Sequence, residues 1–187
     1  MGYRNGTYVA FDGQGTTNPT ESDIRYYGLL RRWDSSKSYS FTFSDSHEKT
    51  NSVRDTSKIE TKKSKLLERM KNSKNMIVII SEDTNWDRGL LNYEIEKAVD
   101  YYKIPLIVAY TKYNSILNVD ALKDKWPKAL KERIEKGTAQ CIHIPFKEKA
   151  ILSAISQFSV HSQGENILTG SKHFYSKETH KNWGYID

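Results

Sequence analysis

Met76-Ile77-Val78-Ile79-Ile80 and, further along, Ile104-Pro105-Leu106-Ile107-Val108-Ala109-Tyr110 are short apolar runs rich in β-branched residues. Neither Met76 to Ile80 nor Leu106 to Ala109 alternates with polar residues, as a half-exposed strand would, so both faces are predicted to be covered. That is the mark of central strands in a parallel sheet. Similar runs at 7 to 11 (Thr-Tyr-Val-Ala-Phe), 39 to 43 (Tyr-Ser-Phe-Thr-Phe) and 141 to 144 (Cys-Ile-His-Ile) bring the expected strands to about five. Helical patterns separate them. Ser57 with Glu60 reads as a capping box ahead of Ile59, Leu66, Leu67 and Met70. Leu91, Ile95, Ala98, Val99 and Tyr102 form one stripe, and Leu130 and Ile134 another between Pro127 and Gly137. Tyr26, Leu30 and Trp33 mark the first helix, and Ile151, Ile155 and Phe158 the last. Strand and helix alternate, which predicts an α/β fold: a parallel sheet of about five strands in the order 2-1-3-4-5, with helices on both faces.

The chain has 187 residues, 37% hydrophobic and 28% charged, enough apolar material for one core and little for two. The reading is one α/β domain over residues 1–161 followed by a polar extension, 162–187, that keeps Phe174, Tyr175, Trp183 and Tyr185. A mobile tail and an arm docked on the body or on a partner both fit that composition. No apolar run approaches the roughly 20 residues needed to span a bilayer, and Met1 to Gly6 has no apolar signal region, so a cytoplasmic location is expected. Cys141 is the only cysteine, which rules out an internal disulfide and reads as a small buried hydrophobe. The formal charge of +6 is spread along helical faces, which argues against a nucleic-acid partner and for weak attraction of small anions.

In an open parallel sheet the ligand crevice lies beyond the strand C-termini. The segments that follow the strands are polar: Asp12-Gly13-Gln14-Gly15, Ser44-Asp45-Ser46-His47-Glu48, Ser81-Glu82-Asp83-Thr84-Asn85-Trp86 and Thr111-Lys112. Gly13 and Gly15 do not complete a dinucleotide fingerprint, because Asn18 stands where the third glycine belongs. No GxxxxGK[ST] run occurs, and Ser81 stands where a phosphoacceptor aspartate would end the third strand. His161, His173 and His180 have spacings unlike a metal site and read as solvated side chains. Glu94 stands apart. At about 100° per helical residue it lies roughly 85° from the centre of its helix's apolar stripe, and Glu96 about 115° on the other side. Glu94 therefore borders the core, in an early turn near the crevice, and Glu96 leans toward water. A surface glutamate paired with Lys97 is the plain alternative.

Gly6-Thr7-Tyr8-Val9-Ala10-Phe11-Asp12-Gly13, Phe43-Ser44-Asp45-Ser46-His47, Arg54-Asp55, Tyr93-Glu94-Ile95-Glu96 and Ile104-Pro105-Leu106-Ile107 together resemble the TIR-like family that includes the ThsB proteins of bacterial Thoeris antiphage defence. The resemblance implies a flavodoxin-like TIR fold. It also implies an enzyme that breaks the nicotinamide–ribose bond of NAD⁺ and makes a cyclic ADP-ribose-type signal for a separate effector protein. NAD⁺ would be substrate, with no cofactor or metal, and self-association is a further option. The catalytic role falls on Glu94. The family's glutamate follows a tryptophan in a Trp-x-x-x-Glu context, whereas Trp86 here lies eight residues ahead of Glu94. Phe11, Asp12, Asp45, Ser46, His47 and Trp86 are the implied substrate contacts. A catalytically silent TIR-like interaction or nucleotide-sensing module would use the same crevice.

Overall fold

The computed structural model describes residues 4–12, 23–35, 59–82, 84 and 90–187. Among the described residues five parallel strands form one sheet in the spatial order β1-β2-β3-β4-β5: β1 (Gly6–Ala10), β2 (Ser73–Ile80), β3 (Leu106–Tyr110), β4 (Cys141–Pro145) and β5 (His173–Phe174). Tyr8 is in register with Met76, Met76 with Leu106, and Leu106 with Cys141. Four of the five expected strands are thus neighbours. The expected strand at 39 to 43, which the order 2-1-3-4-5 puts outside the first, lies outside the described residues. The described sheet instead gains β5, which the sequence reading did not contain. Two residues give no periodic signal, and their pairing with Ile142 and His143 comes from the open edge of β4.

Successive strand residues point to opposite faces, which explains the unbroken apolar runs. Tyr8, Met76, Val78, Leu106 and Val108 enter one layer with Leu66 and Met70 of α2 (Ile59–Lys71), Leu91 and Ile95 of α3 (Leu91–Glu96), and Leu130 and Ile134 of α4 (Lys128–Glu135). Val9, Ile77, Ile79, Ile107 and Ile142 enter the other with Tyr27 and Leu30 of α1 (Ile24–Ser35) and Ile151 and Ile155 of α5 (Glu148–Gln157). The result is a three-layer α/β/α arrangement. Gly137 closes α4 at φ 68°, a left-handed turn that donates its N–H to Ile134 and that glycine adopts without a Cβ clash. The helix expected to run from Leu91 to Tyr102 is α-helical only to Glu96. It then widens into a π turn, Lys97–Tyr101, in which Ala98 and Val99 are both buried.

Two buried polar groups tie the layers together. Thr7 Oγ1 donates to Asn75 Oδ1 at 2.7 Å, and Asn75 Nδ2 donates to the carbonyls of Ile155 (3.1 Å) and Phe158 (2.8 Å). Asn75 thereby serves the orphan carbonyls at the C-terminal end of α5 from within the sheet.

The C-terminal segment folds back on the body. His143 Nε2 is 2.9 Å from the Ser171 carbonyl, which can only accept, so this nitrogen carries the proton. Nδ1 then accepts from Tyr110 Oη at 2.8 Å, and that oxygen accepts from Trp126 Nε1 at 2.8 Å. Burial holds His143 down at about 4, against a modest opposing pull from its hydrogen bond to Ser171. Beyond β5, Ser176 caps α6 (Lys177–Asn182) by accepting from the Thr179 N–H, and Tyr175 meets Trp183 edge to face at 4.9 Å. His180 is fully buried, contrary to the expectation of a solvated side chain. Its Nδ1 donates to the Ser176 carbonyl at 2.8 Å, a local bond from the fourth helical residue back to the N-cap of α6. Cys141 is buried in β4, as expected of a small hydrophobe, and burial pushes its thiol well above the ordinary range. Among the described residues no helix is long and apolar enough to cross a membrane.

Candidate functional site

Glu94 lies in the first turn of α3, with its N–H bonded to the Leu90 carbonyl at 2.8 Å. The turn directs its side chain inward, and Glu94 keeps only 3% of its surface exposed while Glu96 is exposed. This places Glu94 in the core layer beneath β1, further from water than a residue bordering the apolar stripe. There Tyr8 Oη donates to Glu94 Oε1 at 2.6 Å. Burial pushes the Glu94 carboxyl up to about 8, and the Tyr8 hydrogen bond pulls it back part of the way. The Tyr8 phenol is itself held well above its ordinary value, first by burial and then by the charge of Glu94, with Arg69 of α2 acting in the opposite sense. Below about pH 8 the group is a neutral acid in a dry place. A cation arriving beside it would favour its ionisation, because an opposite charge at short range stabilises the carboxylate.

A buried polar cluster stands at the ends of β1 and β2, where the sequence reading expected the crevice. Asp23 caps the start of α1, its carbonyl accepting from the N–H groups of Tyr26 and Tyr27, and its carboxylate Oδ2 accepts from Thr84 Oγ1 at 3.1 Å. Thr84 Oγ1 also accepts from the Ser81 N–H at 2.8 Å, so a single hydroxyl joins the end of β2 to the start of α1. Asp23, Ser81 and Thr84 are all buried. On the neighbouring strand end, Lys112 pairs with Glu82 at 3.3 Å across exposed surface.

Of the residues expected at the site, Asp12 is buried at the end of β1. Phe11 faces the layer opposite Glu94, where it stacks on Tyr27 at 5.7 Å. In this arrangement its ring packs the core. Asp45, Ser46, His47 and Trp86 lie outside the described residues. The sequence reading missed Tyr8, Asp23 and Thr84 as site groups. A hydroxyl-bearing ring on a core-facing position of an otherwise apolar strand was the available signal for Tyr8, and an aspartate immediately before a helix was the signal for Asp23. Among the described residues no three His, Cys, Asp or Glu side chains converge to hold a metal ion.

The family model of the Thoeris protein ThsB, TIR-like domain, matches residues 8–116, more than half of the chain. The matched span contains both Tyr8 and Glu94 and runs from β1 to just beyond β3. This chain belongs to the ThsB TIR-like family, which ties it to Thoeris antiphage defence.

Proposed function

We propose that the protein cleaves the nicotinamide–ribose bond of NAD⁺ and produces a cyclic ADP-ribose-type signal. The observation that carries this reading is the placement of Glu94: a carboxyl in the first turn of the helix after β2, in a dry layer, with one oxygen fixed at 2.6 Å by Tyr8. In the reaction the C1′–N1 bond breaks and its electron pair goes to the nicotinamide ring, which leaves neutral. The ribose becomes an oxocarbenium-like cation, which a carboxylate stabilises as in glycoside cleavage. The positive nicotinamide ring of bound NAD⁺ would first help ionise Glu94, since its charge opposes the effect of burial. Capture of the cation by water gives ADP-ribose, and capture by a nucleophile within the same molecule gives a cyclic product. The signal would act on a separate effector protein.

The deep burial of Glu94 favours one other reading, a TIR-like module that assembles with partners or senses a nucleotide without turning it over. Incubation of the purified chain with NAD⁺, with chromatographic detection of free nicotinamide for wild type and Glu94→Gln, separates the two. Release by wild type and its loss in the variant supports the enzyme. Release unaffected by the substitution sinks the role of Glu94.

A further inference from the structure

We propose that Tyr8 is the positioning residue for Glu94: from the middle of β1 its hydroxyl holds Oε1 and leaves Oε2 as the oxygen that meets the reacting ribose. The proposal rests on Glu94 being the catalytic carboxyl. The helix that carries Glu94 has six residues and no side-chain cap, so little on α3 itself fixes the rotamer. The contact with Tyr8 comes from another layer, joins two buried side chains and is short for a hydroxyl-to-carboxyl bond, at 2.6 Å. Among the described residues Oε2 accepts no hydrogen bond, which leaves it as the free oxygen.

Among the described residues the charged groups near this pair are few. From α2, Arg69 has a buried Nη1 without a hydrogen-bond partner among the described residues, and its charge reaches Tyr8. Lys63 of α2 and Lys97 lie over the ring of Tyr93, at 4.7 and 5.4 Å. Arg133 of α4 is engaged by Asp100. The β2 residues of this layer, Met76, Val78 and Ile80, carry no charge. Tyr8 is therefore the one group that hydrogen-bonds the Glu94 carboxyl among the described residues. An oriented donor in a water-poor layer favours the carboxylate form and also points it, and both effects vanish with the hydroxyl.

Tyr8→Phe keeps the ring in the core and removes only the donor. The Glu94 carboxyl, followed by carbon NMR in glutamate-labelled full-length protein and assigned by its absence in Glu94→Gln, should then titrate at higher pH. A rise of about one unit leaves roughly tenfold less carboxylate at neutral pH. The acid limb of the nicotinamide-release profile should move up with it, so that activity lost near neutrality returns at high pH. A tyrosine that merely filled space would alter stability and leave both midpoints in place, and that result overturns the proposal. If Tyr8→Phe does not fold, 3-fluorotyrosine placed at position 8 supplies a stronger donor in the same shape and should move the Glu94 midpoint down; an unmoved midpoint is again fatal to the idea. Full activity in Glu94→Gln would instead remove the catalytic reading beneath the proposal, a failure visible without any Tyr8 variant.

Discussion

The hydroxyl of Tyr8 and the carboxyl of Glu94 meet at 2.6 Å although 86 positions separate them along the chain. The contact links the middle of β1 to the first turn of α3 and ties a buried, ionisable carboxyl to the sheet.

Replacing Glu94 by Gln removes the charge and keeps the shape and most of the hydrogen bonding. Under the proposed activity, a loss of about 3 kcal/mol of transition-state stabilisation, ordinary for one electrostatic group, should slow NAD⁺ cleavage roughly a hundredfold or more. Glu96→Gln, on the exposed side of the same helix, should leave nicotinamide release near the wild-type rate.

Glu94 also has a stability signature. Its carboxyl stands near 4.5 ordinarily and at about 8 in the fold, so between those values the folded chain binds the proton and the unfolded chain does not. Its contribution is complete below about pH 4.5 and is lost as the pH rises through about 8, by at most about 5 kcal/mol. Denaturant melts at pH 5 and pH 9 should show Glu94→Gln close to wild type at the lower pH and more stable than wild type at the higher. Equal pH slopes for the two proteins would contradict the burial of the acid.

His143 acts in the opposite direction. Its value falls from 6.5 to about 4 on folding, so the unfolded chain binds the extra proton between those values. Stability should be fully present above about pH 6.5 and decline as the pH falls toward 4, by at most about 3 kcal/mol. A His143→Phe variant should lose this acid-side slope even if it is less stable throughout.

Tyr110→Phe tests the buried chain that ties the C-terminal segment to the sheet. Without the phenol, Trp126 Nε1 loses its acceptor and His143 Nδ1 its donor, while the ring stays in place. Two buried polar groups left unpaired cost about 2–6 kcal/mol together. Hydrogen exchange at β5, next to His143, should quicken in this variant relative to β1, and unchanged exchange at both would argue against a shared network.

The unbroken runs of β2 and β3 announced strands covered on both faces, and the structure covers them on both. Periodicity placed Glu94 at the border of the core and left a surface glutamate open, because an angle to the apolar stripe does not fix how deep a side chain sits; its full burial came from the fold. Its partner was not legible. Tyr8 belongs to another periodic element, and two periods do not reveal which of their residues will touch.

The sequence by itself determined the strands β1 to β4 and the helical patterns between β2, β3 and β4, the interior position of β2 and β3 and the burial of Cys141, and it set Glu94 nearer the core than Glu96, since each follows from local spacing and from the need to remove apolar surface from water. The tertiary structure decided what depends on residues distant along the chain: the hydroxyl given to Glu94, the carboxylate of Asp23 joined to Thr84, the C-terminal segment added as β5, and the burial of His180. Those outcomes rest on desolvation and hydrogen bonds between layers, whose energies are set by which groups the fold brings within about 3 Å of one another.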